Sequence, residues 1–347
     1  MAHLLPPRPT SGATLPPLVI GLVNSMPGEA RRATEQQFRA ILTAAVRDVP
    51  VELRFFSLEP PPPDEAASSA TAPRYEDTAL LDAAAVDGMI VTGMPPRAAS
   101  LAEEPYWPKL TELIDLARDA EIPTMWSCLA AHAAVLHLDG IERRRLPRKL
   151  SGLVACTRTT TEHPAMAGLP RRWRVPHSRY NDVPEQTLLA RGYRILSRSA
   201  EAGADIFAKD DDAPFLFCQG HPEYDAQTLP REYRRDIRLF LVGERDEYPA
   251  APAGCFGPMM TELLEAFRER ALRERNAELI AAFPTAAFAT ELNHSWRDLA
   301  VGLYANWLAD IAARKARRPD AGVQASVAAE RRATGAAALP ALDAHGQ

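Results

Sequence analysis

Short apolar runs that each end in a turn and lead into a helical pattern are the feature that most constrains the fold of this chain. One run is Leu18–Val23, and after it apolar residues recur at three- and four-residue steps as far as Val49. The runs at 88–91 and 122–127 are followed by the same helical spacing. Runs of this length are typical of buried parallel strands. The alternation predicts an α/β fold, doubly wound, with a mostly parallel sheet and flanking helices.

Charge and cysteine usage exclude several classes of function. The formal net charge is −5, which is small for 347 residues, so no basic surface points to nucleic acid. The four cysteines lack CxxC spacing, which argues against a zinc site and a disulfide framework and favours a reducing cytoplasm. The first 17 residues carry no signal-like pattern, and no apolar stretch is long enough for a bilayer. We therefore expect a cytoplasmic protein that uses no metal and has no membrane partner.

The composition also predicts how the chain is organised. Residues 1–17 are expected to be a disordered extension, and 18–314 a single domain with a helical insertion near 256–283. Residues 315–347, rich in Ala, Arg and Pro, are expected to be a disordered tail. A Pro/Ala/Ser-rich stretch at 59–73 is predicted to be a loop.

A cysteine and a histidine fall at two of the predicted strand ends. Cys128 lies where the 122–127 run turns into a helix, and a helix N-terminus favours a thiolate and offers backbone donors to an oxyanion. His221 follows a further core strand at 215–218. In open α/β sheets ligands bind at the carboxyl ends of the strands. The pair is therefore predicted to be a nucleophile with its base, directed at a carbonyl.

Beyond these features, the chain carries a set of ordered motifs over 18–308. They are Met26-Pro27, Val91-Thr92-Gly93-Met94-Pro95, Tyr106-Trp107-Pro108, Lys149-Leu150-Ser151-Gly152, Pro176-His177-Ser178-Arg179-Tyr180, Gly220-His221-Pro222-Glu223-Tyr224-Asp225-Ala226-Gln227-Thr228-Leu229 and Asn306-Trp307-Leu308. With them the chain resembles the bacterial homoserine O-succinyltransferases, which catalyse the first step of methionine biosynthesis. These enzymes are relatives of the class I glutamine amidotransferases. The resemblance implies a flavodoxin-like fold of the amidotransferase type.

The chemistry that the resemblance implies is a ping-pong acyl transfer. Cys128 takes the acyl group of succinyl-CoA, His221 then removes a proton from the γ-hydroxyl of L-homoserine, and Glu223 orients the imidazole. The backbone N–H groups of Leu129 and Met94 correspond to the oxyanion hole. Succinyl-CoA is a co-substrate, and no cofactor is implied.

Substrate contacts are implied in the same way. Lys149, Ser178 and Arg235 fall on positions that the family uses for its substrate, and a homodimer is expected. Arg97 takes the position at which the family selects its acyl-CoA, where Gly accompanies succinyl and Glu accompanies acetyl donors. An arginine can pair with the free carboxylate of a succinyl group, which favours that donor.

Several residues depart from the family pattern. The family places a lysine near its nucleophile, and this chain offers Arg31 or Arg32 in that region. The family often has Trp and Gln where this chain has Leu129 and His132. His132 lies four residues from Cys128 on the same helical face, so that it either tunes the thiol or lines the pocket, or is a hydrogen-bonded structural residue.

Other functions remain open from the sequence. The nearest alternative is an acetyl-specific homoserine acyltransferase, and a cysteine hydrolase or glutamine amidotransferase on the same scaffold is a more distant one. An amidotransferase usually has glycine on both sides of its nucleophile turn, where this chain has Trp126 and Ala130. An inactive binding protein is expected to have lost Cys128, His221 or Glu223, and all three are present.

Overall fold

The computed structural model describes residues 2–3, 16–59, 74–209, 213–285 and 294–317. Strands β1 to β11 of this part are Ala2–His3, Leu18–Val23, Val51–Ser57, Tyr75–Asp77, Gly88–Val91, Thr124–Ser127, Arg144–Arg158, Arg172–Asp182, Arg194–Ser199, Gly203–Lys209 and Phe215–Cys218. Helices α1 to α7 are Gly28–Ala45, Trp107–Asp119, Leu129–Asp139, Glu185–Ala190, Thr228–Leu241, Pro258–Arg273 and Arg297–Arg317.

The strands form one sheet in the order β1-β3-β2-β5-β6-β11-β10-β9-β7-β8, with β4 beside β3. Its centre, from β3 to β11, is parallel throughout, which confirms the predicted fold class. Beyond β11 the sheet continues through four antiparallel strands, β10, β9, β7 and β8. The sequence did not predict this extension, because β7 and β8 are rich in arginine and mix exposed with buried positions instead of forming apolar runs.

Helices cover both faces of the sheet, as doubly wound topology requires. On one face α1 and α7 pack against β2 and β3, and Phe38 of α1 meets Tyr304 of α7 with ring centroids 6.3 Å apart. On the other face α2 and α3 pack on β5 and β6 around Trp126. Each face therefore has its own apolar core, and the parallel strands between them are almost wholly buried.

The region after α5 forms a third core. Helix α6 and the 3-10 turn Ala277–Ala282 pack on α5 through Phe240, Leu264 and Phe267. Helical structure was predicted here near 256–283, and the bounds agree closely. Its status as an insertion stays a prediction.

The ends of the chain differ from the expected organisation. Ala2–His3 pairs with β3, although 1–17 was expected to be disordered. Helix α7 continues to Arg317, past the predicted start of the tail at 315, because Lys315 forms an ion pair with Asp87 (2.7 Å). Residues 60–73 of the predicted loop and 318–347 of the predicted tail lie outside the described residues. Among the described helices, none combines the length and apolar character that crossing a bilayer needs.

Candidate active site

Cys128 occupies a sharp turn between a strand and a helix. Strand β6 ends at Ser127 and α3 begins at Leu129, and Cys128 between them has φ 51° and ψ −112°. A side chain other than glycine pays a steric penalty at positive φ, so the fold holds this turn against its local preference. One restraint is the hydrogen bond from the Cys128 N–H to the Cys218 carbonyl of neighbouring β11 (2.7 Å). The turn presents the thiol to a cavity of about 290 Å³.

His221 and Glu223 reach the same cavity from the end of β11. The Nδ1 of His221 lies 2.8 Å from Glu223 Oε1, and the imidazole stacks on the Tyr224 ring at 4.2 Å between centroids. Because the carboxylate only accepts, Nδ1 carries the proton. Cys128 lies close enough to act on the charge of His221, and Nε2 is the ring nitrogen that Glu223 leaves available to it. The predicted trio is thus brought together in the order cysteine, histidine, carboxylate.

The charge of His221 depends on these two neighbours. Burial favours the neutral ring and by itself lowers the pKa of His221. The thiolate of Cys128 and the carboxylate of Glu223 outweigh this effect, so the pKa lies well above its ordinary value. The raised pKa favours the imidazolium form of His221.

The proposed oxyanion donors are also exposed to the cavity. Leu129 N is at the start of α3, where N–H groups have no partner within the helix, and it donates to no acceptor in the described part of the chain. Gly93, after β5, lies so close that a Cβ added to it would be 3.2 Å from Leu129 N. Met94, the second predicted donor, lines the cavity beside Gly93. The missing side chain at position 93 keeps the approach to Leu129 N open.

Lys149, Ser178 and Arg235 all line the cavity, on β7, β8 and α5. Two residues that the sequence analysis missed hold them. Glu232 accepts hydrogen bonds from the hydroxyls of Ser178 and Tyr224.

Asp236 is the second of the missed residues. It binds Lys149 Nζ (2.8 Å) through one oxygen and Arg235 (2.9 Å) through the other. Burial raises the pKa of Asp236, but the two cations outweigh it and the pKa lies below its ordinary value. Glu232 and Asp236 are four residues apart on one face of α5, and that spacing beside Arg235 is the signal that could have identified them.

The donor-selecting role of Arg97 stays a prediction. Its guanidinium pairs with Glu59 (2.9 Å) at an exposed position, and Arg97 is not among the residues that line the cavity, whereas Pro95 and Pro96 are. Neither Arg31 nor Arg32 lines the cavity: Arg31 lies over the Tyr75 ring, with 5.5 Å to its centroid.

His132 lines the cavity but is held by the protein. Its Nε2 lies 2.9 Å from Gln219 Oε1, which also accepts the N–H of Val183. Burial lowers the pKa of His132 to about 4, so the ring is neutral. An amide oxygen can only accept, and Nε2 therefore carries the proton. These contacts favour the structural role among the alternatives for His132.

A second cysteine, histidine and carboxylate lie behind the site. The side-chain ligand atoms of Cys156, His177 and Asp205 are within 4.8 Å of one another. Burial, reinforced by Asp205, raises the pKa of the Cys156 thiol, which therefore stays protonated beside that carboxylate. Arg179 Nε donates to His177 Nδ1, which leaves the proton on His177 Nε2, 3.2 Å from Asp205. Neither His177 Nε2 nor Asp205 Oδ1 has a hydrogen-bond partner of good geometry in the described part of the chain.

This buried cluster also explains Gly220. A Cβ at that position would lie 2.8 Å from Asp205 Oδ1 and 2.9 Å from His177 Nε2. Only glycine lets the loop that carries His221 pass so close to the cluster. The backbone next to His221 therefore packs directly against this buried cluster.

The chain is similar to several known proteins. The family model described as homoserine O-succinyltransferase matches residues 8–317. The homoserine O-succinyltransferase of Methylorubrum extorquens is 48% identical over 86% of this chain and 88% of its own, and that of Rhodopseudomonas palustris 44% identical over 88% and 91%. Among solved structures, a glutamine amidotransferase from Thermotoga maritima matches 85% of this chain and 97% of its own, with 13% identity and a TM-score of 0.45.

Proposed function

Because the chain belongs to the homoserine O-succinyltransferase family, we propose that it transfers the succinyl group of succinyl-CoA to L-homoserine through a thioester on Cys128. The observation that carries the mechanism is the contact of one imidazole with a thiol and a carboxylate at the wall of a single cavity. Cysteine and imidazole in this relation form a nucleophile and its acid-base partner.

The first half-reaction loads the cysteine. The Cys128 sulfur attacks the thioester carbon of succinyl-CoA, and the N–H groups of Leu129 and Met94 receive the oxyanion. The bond from that carbon to the CoA sulfur then breaks, and the departing sulfur takes the proton of the His221 imidazolium. The products are free CoA and succinylated Cys128.

Loading the cysteine also prepares the base for the second half-reaction. The Cys128 thiolate is the larger of the two influences that raise the pKa of His221, and acylation removes its charge. A neutral His221 can then accept the γ-hydroxyl proton of homoserine as the oxygen attacks the thioester. Cys128 leaves as a thiolate, which restores its pairing with the imidazolium.

The amino acid is proposed to bind between β7, β8 and α5. Arg235 offers a fork for the carboxylate of homoserine, and Lys149 adds a second positive charge. Glu232 supplies an acceptor for the ammonium beside Ser178. The cation pair and the carboxylate match the two charges of an amino acid.

The biological setting belongs to the same proposal. The product fits the opening step of methionine biosynthesis, and a cytoplasmic homodimer is expected. The cytoplasm is supported by four cysteines that are all free thiols.

Steady-state kinetics test the proposed function. With succinyl-CoA and L-homoserine varied together, a ping-pong enzyme gives parallel double-reciprocal lines, and converging lines would contradict the acyl-enzyme. The same assay with acetyl-CoA or L-serine should show a much lower kcat/KM. Preference for acetyl-CoA would instead support the acetyl-specific alternative.

A further inference from the structure

The free carboxylate is the group that distinguishes a succinyl from an acetyl donor. Once the acyl group is attached to Cys128, we expect this carboxylate to lie in the same cavity, partly removed from water. An anion in such a place is costly unless a cation binds it. The cavity should therefore contain a positive side chain with donors to spare.

Basic residues from several elements line the cavity. They are Arg143, Arg145, Lys149, Arg179 and Arg235. Lys149 and Arg235 both bind Asp236 and belong to the proposed amino-acid side of the cavity. They are therefore assigned to binding of the amino acid and not of the acyl group.

Arg179 and Arg145 are engaged in a different manner. Arg179 is buried, and its three nitrogens donate to His177 Nδ1 and to the carbonyls of Asn181 and Ala202. Arg145 is exposed and lies over the Tyr180 ring, 4.7 Å from its centroid. Arg179 is therefore part of the buried cluster, and Arg145 faces water.

Arg143 differs from these four. It is partly buried, and its guanidinium makes one hydrogen bond, to the Ala99 carbonyl at 3.3 Å. In the part of the chain that the structure describes, no carboxylate lies within 4.0 Å of it. The neighbouring Glu104 instead accepts the N–H groups of Arg97 and Ala98. Burial lowers the pKa of Arg143, and Tyr106 and Glu104 oppose this effect only in part.

The position of Arg143 also suits the acyl group. Its contact with Ala99 places it beside the loop that follows β5, whose Met94, Pro95 and Pro96 line the cavity near Cys128. The amino-acid contacts come from β7, β8 and α5 instead. The acyl group would therefore lie against the loop after β5, and the amino acid against β7, β8 and α5.

We propose that Arg143 binds the free carboxylate of the succinyl group and selects succinyl-CoA over acetyl-CoA. The proposal rests on the function proposed above, and it assigns to Arg143 the role that the sequence predicted for Arg97. A guanidinium presents two parallel donors to a carboxylate, so this contact fixes both the charge and the orientation of the acyl chain.

The test measures kcat/KM with succinyl-CoA and with acetyl-CoA, at saturating homoserine, for the wild type, Arg143→Ala, Arg143→Lys, Arg97→Ala and the control Arg144→Ala. Arg143→Ala should lose roughly 30-fold or more with succinyl-CoA, as expected when one member of a buried charge pair is removed, while its value with acetyl-CoA changes little. Arg143→Lys should retain part of the succinyl activity. Arg144→Ala, an exposed neighbour that pairs with Asp182, should match the wild type.

Two outcomes would overturn the proposal. One is an equal loss with both donors in Arg143→Ala, which indicates a structural role. The other is loss of the succinyl preference in Arg97→Ala but not in Arg143→Ala. A wild type that transfers no succinyl group refutes the proposed function itself, whereas an active wild type with an indifferent Arg143→Ala refutes this assignment alone.

Discussion

In the proposed reaction, His221 changes its charge because acylation removes the negative charge of one of its two neighbours. Glu223 remains beside Nδ1 throughout the proposed cycle, whereas acylation of Cys128 removes the neighbour that raises the pKa of His221 most. The same imidazole can therefore be an acid toward CoA and a base toward homoserine. The proposed catalytic cycle thus depends on the charge state of His221.

Replacing Glu223 by Gln should lower the pKa of His221. Removal of a negative neighbour disfavours the charged ring, which loses its proton at a lower pH. Cys128→Ala should lower the pKa further, because the thiolate is the larger of the two raising influences. NMR titration of the eight histidines, with His221→Asn to assign the signal, measures the order. An unchanged pKa in both variants would show that the three groups are not coupled.

Gly93→Ala should slow the chemistry without unfolding the protein. Its methyl group would sit 3.2 Å from Leu129 N and hinder an oxyanion from reaching that donor. Loss of one such donor typically costs about 100-fold in kcat, or about 3 kcal/mol. Activity and thermal unfolding of Gly93→Ala should be compared with those of Gly21→Ala, whose added Cβ makes ordinary contacts away from the cavity. Full activity in Gly93→Ala would argue against Leu129 N as a donor.

At the scale of elements, the sequence predicted the parallel half of the sheet and missed the antiparallel half. Strands such as β2 and β11 are apolar throughout because both of their faces are covered, and such runs are visible without a structure. Strands β7 and β8 place arginines on exposed positions, and their pairing depends on distant contacts. Cys128 and His221 follow strands of the first kind and could be predicted. The contacts of Glu232 with Ser178 and of Asp236 with Lys149 depend on the second kind.

Gly152→Ala tests the attachment of β7, which carries Lys149. Gly152 has φ 141° and forms a bridge with Ala253, and an added Cβ would lie 2.5 Å from the Ala253 carbonyl oxygen. We expect a loss of about 3 kcal/mol in the free energy of unfolding, from the clash and the backbone strain together. Urea denaturation measures it. Gly140→Ala, at φ 65° with open space around it, should cost only about 1 kcal/mol. Equal losses in the two variants would mean that the bridge adds nothing.

At the scale of the whole molecule, the two halves of the sheet divide the work. The parallel half supplies the proposed nucleophile, base and oxyanion donors at its carboxyl edge. The antiparallel half, together with α5, supplies the groups proposed to hold the amino acid. The cavity lies where both halves meet, so an acyl group delivered on one side can be collected from the other.

The mass of the intact protein after brief exposure to succinyl-CoA tests the acyl-enzyme most directly. We predict a gain of one succinyl group that maps to Cys128, that disappears on addition of L-homoserine, and that is absent from Cys128→Ala. Cys156, Cys218 and Cys255 are buried thiols and should remain unmodified. An unmodified wild type that still forms O-succinylhomoserine, or a Cys128→Ala variant with full activity, would contradict the mechanism.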